Sequence, residues 1–134
     1  MTDWFATRVR IARPTDRLDK VIEFYRDGIG LPVIGKFDDH DGYDGIIFGM
    51  PDTSYQLEFT QHNEGSPGDA PSRDNLTVFY FDDESKLQEI VSRLGDMGDE
   101  DVPPETPYWI GISITIADTD GWHVGLFCMS VFQS

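Results

Sequence analysis

Along the chain, apolar residues first follow the two-residue period of a strand and then the spacing of a helix, and this order occurs twice. Apolar residues at every second position indicate a strand, whereas spacings of three and four indicate a helix. In the first occurrence residues 8–12 alternate as a strand does, and helical spacing follows over 18–25. Strands are then predicted at 43–49 and 55–60, with room for a short one near 33–37. This half therefore reads as strand, helix and further strands.

The second occurrence repeats the same order after a loop rich in Gly, Pro, Ser and Asp at 64–74. A β-rich run covers 75–81, and helical spacing follows over 87–94. Alternating apolar residues at 110–116 and 122–127 then predict two strands. An internal repeat of this length indicates that each half is one supersecondary unit.

Both predicted helices have candidate residues at their ends. Thr15 or Asp16 is expected to cap the first helix, and Gly28 is expected to end it. In the second helix an aspartate at 82–83 is the expected cap and Gly95 the expected stop.

The amino-acid composition limits the classes of partner that we expect for this protein. The 134 residues carry 25 acidic against 10 basic side chains, a formal net charge of -15. Such a field repels phosphate backbones and anionic lipid, so we expect neither nucleic acid nor membrane as a partner. The single Cys128 forms no internal disulfide, and the first residues lack a signal-peptide pattern. We therefore expect a cytoplasmic protein.

Two segments carry a family resemblance. FYRDGIGLPVIG at 24–35 and IADTDGWHVGLF at 116–127 resemble signatures of the glyoxalase, bleomycin-resistance and extradiol-dioxygenase proteins, the vicinal oxygen chelate superfamily. The resemblance implies an α+β fold in which two tandem βαβββ modules form an open, curved, barrel-like sheet around a ligand pocket. It implies one domain over 1–134, with modules at about 8–62 and 74–129.

The same resemblance implies four inward-facing metal-ligand positions, which fall on Arg10, on Glu58, on or near Asn75, and on Gly125. Arginine does not ligate metals, and glycine has no side chain. Only Glu58 matches a metal ligand of the superfamily. We therefore expect no metal cofactor, while a divalent ion (Zn, Ni, Mn or Fe) remains the alternative.

Strand alternation assigns faces to these residues independently. If Val9 and Ile11 take the core face, Arg10 faces the cavity, and Gln56 and Glu58 do the same on a later strand. We expect Arg10 and Glu58 to form an ion pair where the superfamily holds its cation.

Residues of the second half complete the candidate site. Alternation places His123 in the cavity with Gly125, either as an acid or base or as a hydrogen-bonded wall residue. Phe79, Trp109 and Phe127 are expected on the concave side, where they line a pocket or fill the barrel.

Two functions remain open at this point. The first is a homodimeric protein of the bleomycin-resistance type that binds a small organic molecule through the residues above. The second is a glyoxalase-like lyase or dioxygenase-type enzyme in which Glu58 acts as base or metal ligand, with His123 as a further catalytic candidate. The missing metal ligands favour the first.

Overall fold

The structure, a computed structural model, describes residues 8–50, 53–65, 75–103 and 113–128. The chain divides into two compact units, Met1–Pro67 and Gly68–Ser134. The division falls in the loop predicted between the two modules.

Unit 1 contains four strands and one helical segment. Its elements are β1 (Val9–Pro14), α1 (Leu18–Ile22) continuing as a π-helical turn (Glu23–Ile29), β2 (Val33–His40), β3 (Tyr43–Gly49) and β4 (Tyr55–His62). The sheet order is β1-β4-β3-β2, with β1 parallel to β4 and the other pairs antiparallel.

Unit 2 has the same element order and the same sheet order. Its elements are β5 (Leu76–Phe81), α2 (Glu84–Asp96), β6 (Asp101–Val102), β7 (Ser113–Ala117) and β8 (His123–Cys128). β5 pairs in parallel with β8, and β7 lies antiparallel to both β8 and β6. The doubled βαβββ architecture is thus confirmed, as two four-stranded mixed sheets. Residues 110 and 112 of the predicted strand lie outside the described residues.

The ends of the first helix differ from the prediction. Neither Thr15 nor Asp16 is the cap residue; Arg17 holds that position. The amide of Leu18 instead donates to Oε1 of Gln61 at 2.8 Å. This oxygen comes from β4, so local sequence could not indicate it. The helical segment also runs past Gly28 and ends at Gly30, whose φ of 91° is the left-handed conformation that glycine favours.

The second helix begins as predicted and ends later. Asp83 accepts a hydrogen bond from the Ser85 amide at 2.8 Å, which confirms the cap. Gly95 does not stop the helix, which continues to Asp96 and terminates at Gly98, with φ of 93°. Gly95 and Gly98 could both adopt a left-handed φ, but only Gly98 does, and the helix ends just before it.

An aromatic cluster forms the core of unit 1. The ring of Tyr25 stacks on Phe59 with centroids 4.7 Å apart, and Phe48 packs against both. We call this side of the sheet the core face. Register places Val9 and Ile11 on the same face, but 38% and 52% of their surfaces are exposed. They face the core as predicted, and they stay partly exposed because β1 is an edge strand and α1 packs over β3 and β4.

Aliphatic side chains form most of the core face of unit 2. Val124 and Leu126 of β8 are fully buried, as is Ile116 of β7 beside Val124. Leu87 and Leu94 are the buried residues of α2, which packs against β5 and β8. Among the described residues, no helix combines the length and apolar character that crossing a membrane requires.

Candidate functional site

Arg10 and Gln56 lie side by side on the face of unit 1 opposite the core. They occupy paired positions of parallel strands, and Nε of Arg10 donates to Oε1 of Gln56 at 2.9 Å. We call this side of each sheet the site face. The bond fixes the direction of the guanidinium group, whose other N–H groups are available to a ligand.

Glu58 belongs to the same face two residues beyond Gln56. It pairs with Ala12 of β1 and Ile47 of β3, and it is half-buried. The predicted ion pair with Arg10 is not formed: the ion pairs of the described residues, at a limit of 4.0 Å, include neither Arg10 nor Glu58. Arg10 lies two residues before Ala12, the residue opposite Glu58, and its side chain is directed to the Gln56 amide instead.

The other half of this face is apolar. Gly45 and Gly49 of β3 have no side chains, and residues of β2 cover them: a Cβ at Gly45 would strike the ring of Phe37, and one at Gly49 would come within 2.9 Å of Ile34. The site face of unit 1 is therefore polar along β1 and β4 and apolar along β2 and β3. Such a surface suits an organic molecule with one polar end.

Unit 2 has a site face of different chemistry. If Glu58 and Gly125 are equivalent positions, as the resemblance implies, Gln56 corresponds to His123 and their strand partners Arg10 and Leu76 correspond to each other. The first unit thus carries charge where the second is apolar or has no side chain.

His123 lies on the site face of unit 2 and is buried, with 7% of its surface exposed. Phe127 shares this face and meets Tyr80 edge to face at 5.3 Å between centroids. The predicted position of Phe79 is wrong. It pairs with Leu126 on the core face, whereas Phe127 pairs with Tyr80, so the two phenylalanines point in opposite directions.

Two further predicted residues lie at the start of a described range or outside the described ranges. Asn75 precedes β5 by one residue and is exposed. The position equivalent to Arg10 is Leu76, so the ligand position expected on or near Asn75 is displaced by one residue. Trp109 lies outside the described residues.

Sequence reasoning missed Thr115, which is 2% exposed and pairs with Gly125 on the site face. The alternation of Ile114 and Ile116 around it is the signal that could have identified it, because it places Thr115 on the face opposite the core.

These residues do not fit a metal ion of the superfamily's kind. Arg10 is a donor only, Leu76 is apolar and Gly125 has no side chain, which leaves Glu58 as a single oxygen ligand. Within the described ranges, no group of three or more His, Cys, Asp and Glu side chains is placed to hold an ion.

Outside the site face, Asp118 shapes the turn before β8. It is buried, and its Oδ1 accepts hydrogen bonds from the amides of Asp120 and Trp122, both at 2.9 Å. Burial, and secondly the negative charge of Asp118, raise the pKa of Asp99 above its ordinary value.

Sequence comparisons agree with the doubled architecture. Residues 9–60 match the YycE-like N-terminal domain, and residues 74–127 match the YycE-like C-terminal domain. The uncharacterized protein YycE of Bacillus subtilis is 47% identical over 119 residues, which cover 89% of this chain and 86% of that protein.

Solved structures give the same result. The crystal structure of the Bacillus subtilis YycE protein, of unknown function, superimposes with a TM-score of 0.85 and 46% identity, over 91% of this chain and 89% of that one. Leishmania major glyoxalase I (TM-score 0.70, 18% identity, 92% and 87% covered) and the fosfomycin resistance protein FosX of Mesorhizobium loti (0.66, 17%, 95% and 92%) share the fold. The chain therefore belongs to the YycE-like family and has the vicinal oxygen chelate fold.

Proposed function

We propose that this protein binds a small organic molecule without transforming it, in the manner of a resistance or sequestering protein, and that the site face of unit 1 contributes to its binding site. The observation that carries the proposal is the hydrogen bond from Arg10 to Gln56 beside Glu58. Three polar side chains share one face next to an apolar surface.

The ligand chemistry follows from the groups that are left unsatisfied. Arg10 uses one of its five N–H donors on Gln56, so its remaining donors suit a carboxylate, phosphonate or carbonyl oxygen. The carboxylate of Glu58 has no hydrogen-bond partner among the described residues and accepts a donor or a cationic group. We expect a ligand with both kinds of group and a short apolar part that covers Phe37.

Isothermal titration calorimetry tests this proposal after a thermal-shift screen. The screen includes fosfomycin, because FosX shares the fold, together with amino acids and other small zwitterions. We expect Arg10→Met and Glu58→Gln each to weaken the selected ligand by at least about tenfold, the loss of one charge-assisted hydrogen bond. Lys20→Met is the matched control, since it removes a positive charge from an exposed residue of α1.

The outcome of that titration decides the proposal. Full affinity in both Arg10→Met and Glu58→Gln would exclude the site face of unit 1 as a binding surface. Elemental analysis adds a second criterion. Stoichiometric Zn, Ni, Mn or Fe that is lost in Glu58→Gln would contradict the metal-free site.

A glyoxalase-like activity is the second candidate. Its supporting observation is the half-buried Glu58, whose carboxylate has no partner among the described residues. Such a carboxylate can act as a general base that removes a proton from the carbon next to a carbonyl group. The hemithioacetal of methylglyoxal and glutathione is the test substrate. Turnover that Glu58→Gln abolishes, with substrate binding retained, would replace the first candidate by this one.

A proposal about assembly and location rests on the resemblance to the superfamily. We expect a cytoplasmic homodimer, and light scattering of the purified chain measures its mass. A mass of one chain at micromolar concentration would contradict the dimer.

A further inference from the structure

Two buried polar atoms flank Gly125 on the site face of unit 2. The Nδ1 atom of His123 and the Oγ1 atom of Thr115 are both buried, and neither has a hydrogen-bond partner among the described residues. Thr115 pairs directly with Gly125, and His123 lies two residues before it on the same strand and face. An unsatisfied buried polar atom costs roughly 1 to 3 kcal/mol, so two neighbouring ones require an explanation.

Gly125 places no side chain of its own beside these atoms, and one added carbon would reach ordinary van der Waals contact without a clash. A Cβ at Gly125 would meet nothing closer than 3.6 Å, and the nearest atoms are methyl groups of Leu76 and Val78. The polar pair therefore borders a position that is apolar on the β5 side and has no side chain of its own.

The charge of the surroundings restricts what this position can bind. The strands that form it are LTVFYF, SITIA and HVGLFC, and none contains Asp, Glu, Lys or Arg. An ionic group would be desolvated there without a partner of opposite charge on these strands. A neutral hydroxyl group avoids this cost, because it can donate to one atom and accept from the other.

We propose that Thr115 and His123 form a binding site for a neutral hydroxyl group, carried by an aromatic or otherwise apolar small molecule. The edge-to-face rings of Tyr80 and Phe127 on the same face supply the apolar contact. The inference goes beyond the proposed function, because it concerns the second unit and a different ligand group. It assigns to Thr115 the specificity for hydroxyl over methyl.

Methyl NMR of the full chain tests this site with three probes of one shape. Benzyl alcohol carries the hydroxyl, toluene lacks it and benzoate replaces it by a charge. We expect benzyl alcohol to produce saturable shifts in the Thr115 and Val78 methyl signals. Toluene should bind at least about tenfold more weakly, as expected when one hydrogen bond is lost, and benzoate more weakly still.

Three variants complete the design. Thr115→Val keeps the shape, removes the hydroxyl and should reduce benzyl alcohol binding to the level of toluene. Thr115→Ser, which keeps the hydroxyl, should retain the preference for benzyl alcohol. Gly125→Ala places one carbon in the site and should weaken benzyl alcohol. Unfolding curves of each variant confirm that the fold is retained.

The inference is overturned if toluene binds wild-type protein as tightly as benzyl alcohol, or if Thr115→Val leaves benzyl alcohol affinity unchanged. A nuclear Overhauser effect from Thr115 to a long-lived water, without saturable shifts by benzyl alcohol, would also overturn it, because the site would then hold structural water only. These results are independent of the Arg10 and Glu58 variants. Either proposal can therefore fail while the other stands.

Discussion

Arg10 of β1 donates to Gln56 of β4 across two parallel strands, with 2.9 Å between Nε and Oε1. This contact joins residues 46 positions apart in the chain. It lies on the face opposite the aromatic core and is exposed to solvent. The pair therefore belongs to the surface that the proposed ligand would cover, and not to the core of the unit.

The Arg10–Gln56 pair should contribute little to the stability of the fold. We expect Gln56→Leu and Arg10→Met to change the free energy of unfolding by less than about 0.5 kcal/mol, because the bond between them is solvent-exposed. Urea denaturation measures the change. Phe59→Ala on the same strand is the contrast and should cost about 3 to 5 kcal/mol, because its buried ring stacks on Tyr25. A large loss in Gln56→Leu would assign the pair a structural role.

Gly45 should resist even the smallest substitution. A Cβ at Gly45 would overlap the ring of Phe37, which packs over it from β2. We expect Gly45→Ala to destabilise the protein by about 1 to 3 kcal/mol. The double variant with Phe37→Leu should recover part of this loss, and a double-mutant cycle measures the coupling. Strictly additive effects would show that the clash is relieved elsewhere.

The two glycines near the end of α2 should respond in opposite directions. Gly95 is helical with open space around its Cα, so Gly95→Ala should stabilise by about 0.5 to 1 kcal/mol. Gly98 has a φ of 93°, so Gly98→Ala should destabilise by about 1 kcal/mol or more. Thermal unfolding of the two variants gives the comparison. Equal effects would mean that the helix does not terminate at Gly98.

Asp99 should make stability depend on pH in an unusual direction for a carboxylate. Its pKa is raised above the ordinary 3.8 by burial and, secondly, by the charge of Asp118. Folding disfavours the ionised form, so the favourable contribution is complete below pH 3.8 and is lost as the pH rises through the raised folded pKa.

Asp99→Asn cannot ionise and should therefore have a higher Tm than wild type at neutral pH. The difference should shrink as the pH falls through the raised folded pKa and should be absent below pH 3.8. Glu100→Gln, a similar change at the exposed neighbouring residue, should raise Tm less. A Tm difference for Asp99→Asn that stays constant over the acid range would contradict the raised pKa.

The sequence alone determined the repeated architecture. Residues 43–49 and 75–81 are rich in apolar, β-branched and aromatic residues and are bounded by turn residues, and such local patterns are enough to predict strands. It also assigned Arg10, Gln56 and Glu58 to one face, because side chains two positions apart on a strand share a face.

Tertiary structure decided which residues of the faces meet and which are buried. The pairing of β5 with β8 placed Phe79 on the core face and Leu76, rather than Asn75, opposite His123. Strand register depends on long-range pairing, and a shift of one residue reverses the face of every side chain.

The dependence on long-range strand pairing also explains which contacts could not be predicted from the sequence. The cap of α1 comes from Gln61 on β4, and Arg10 bonds to Gln56 rather than to Glu58. The burial of Thr115 beside Gly125 likewise depends on a neighbouring strand. Local sequence specifies the period and the face of each element, whereas the partner of each polar atom is set by the strands that fold against it.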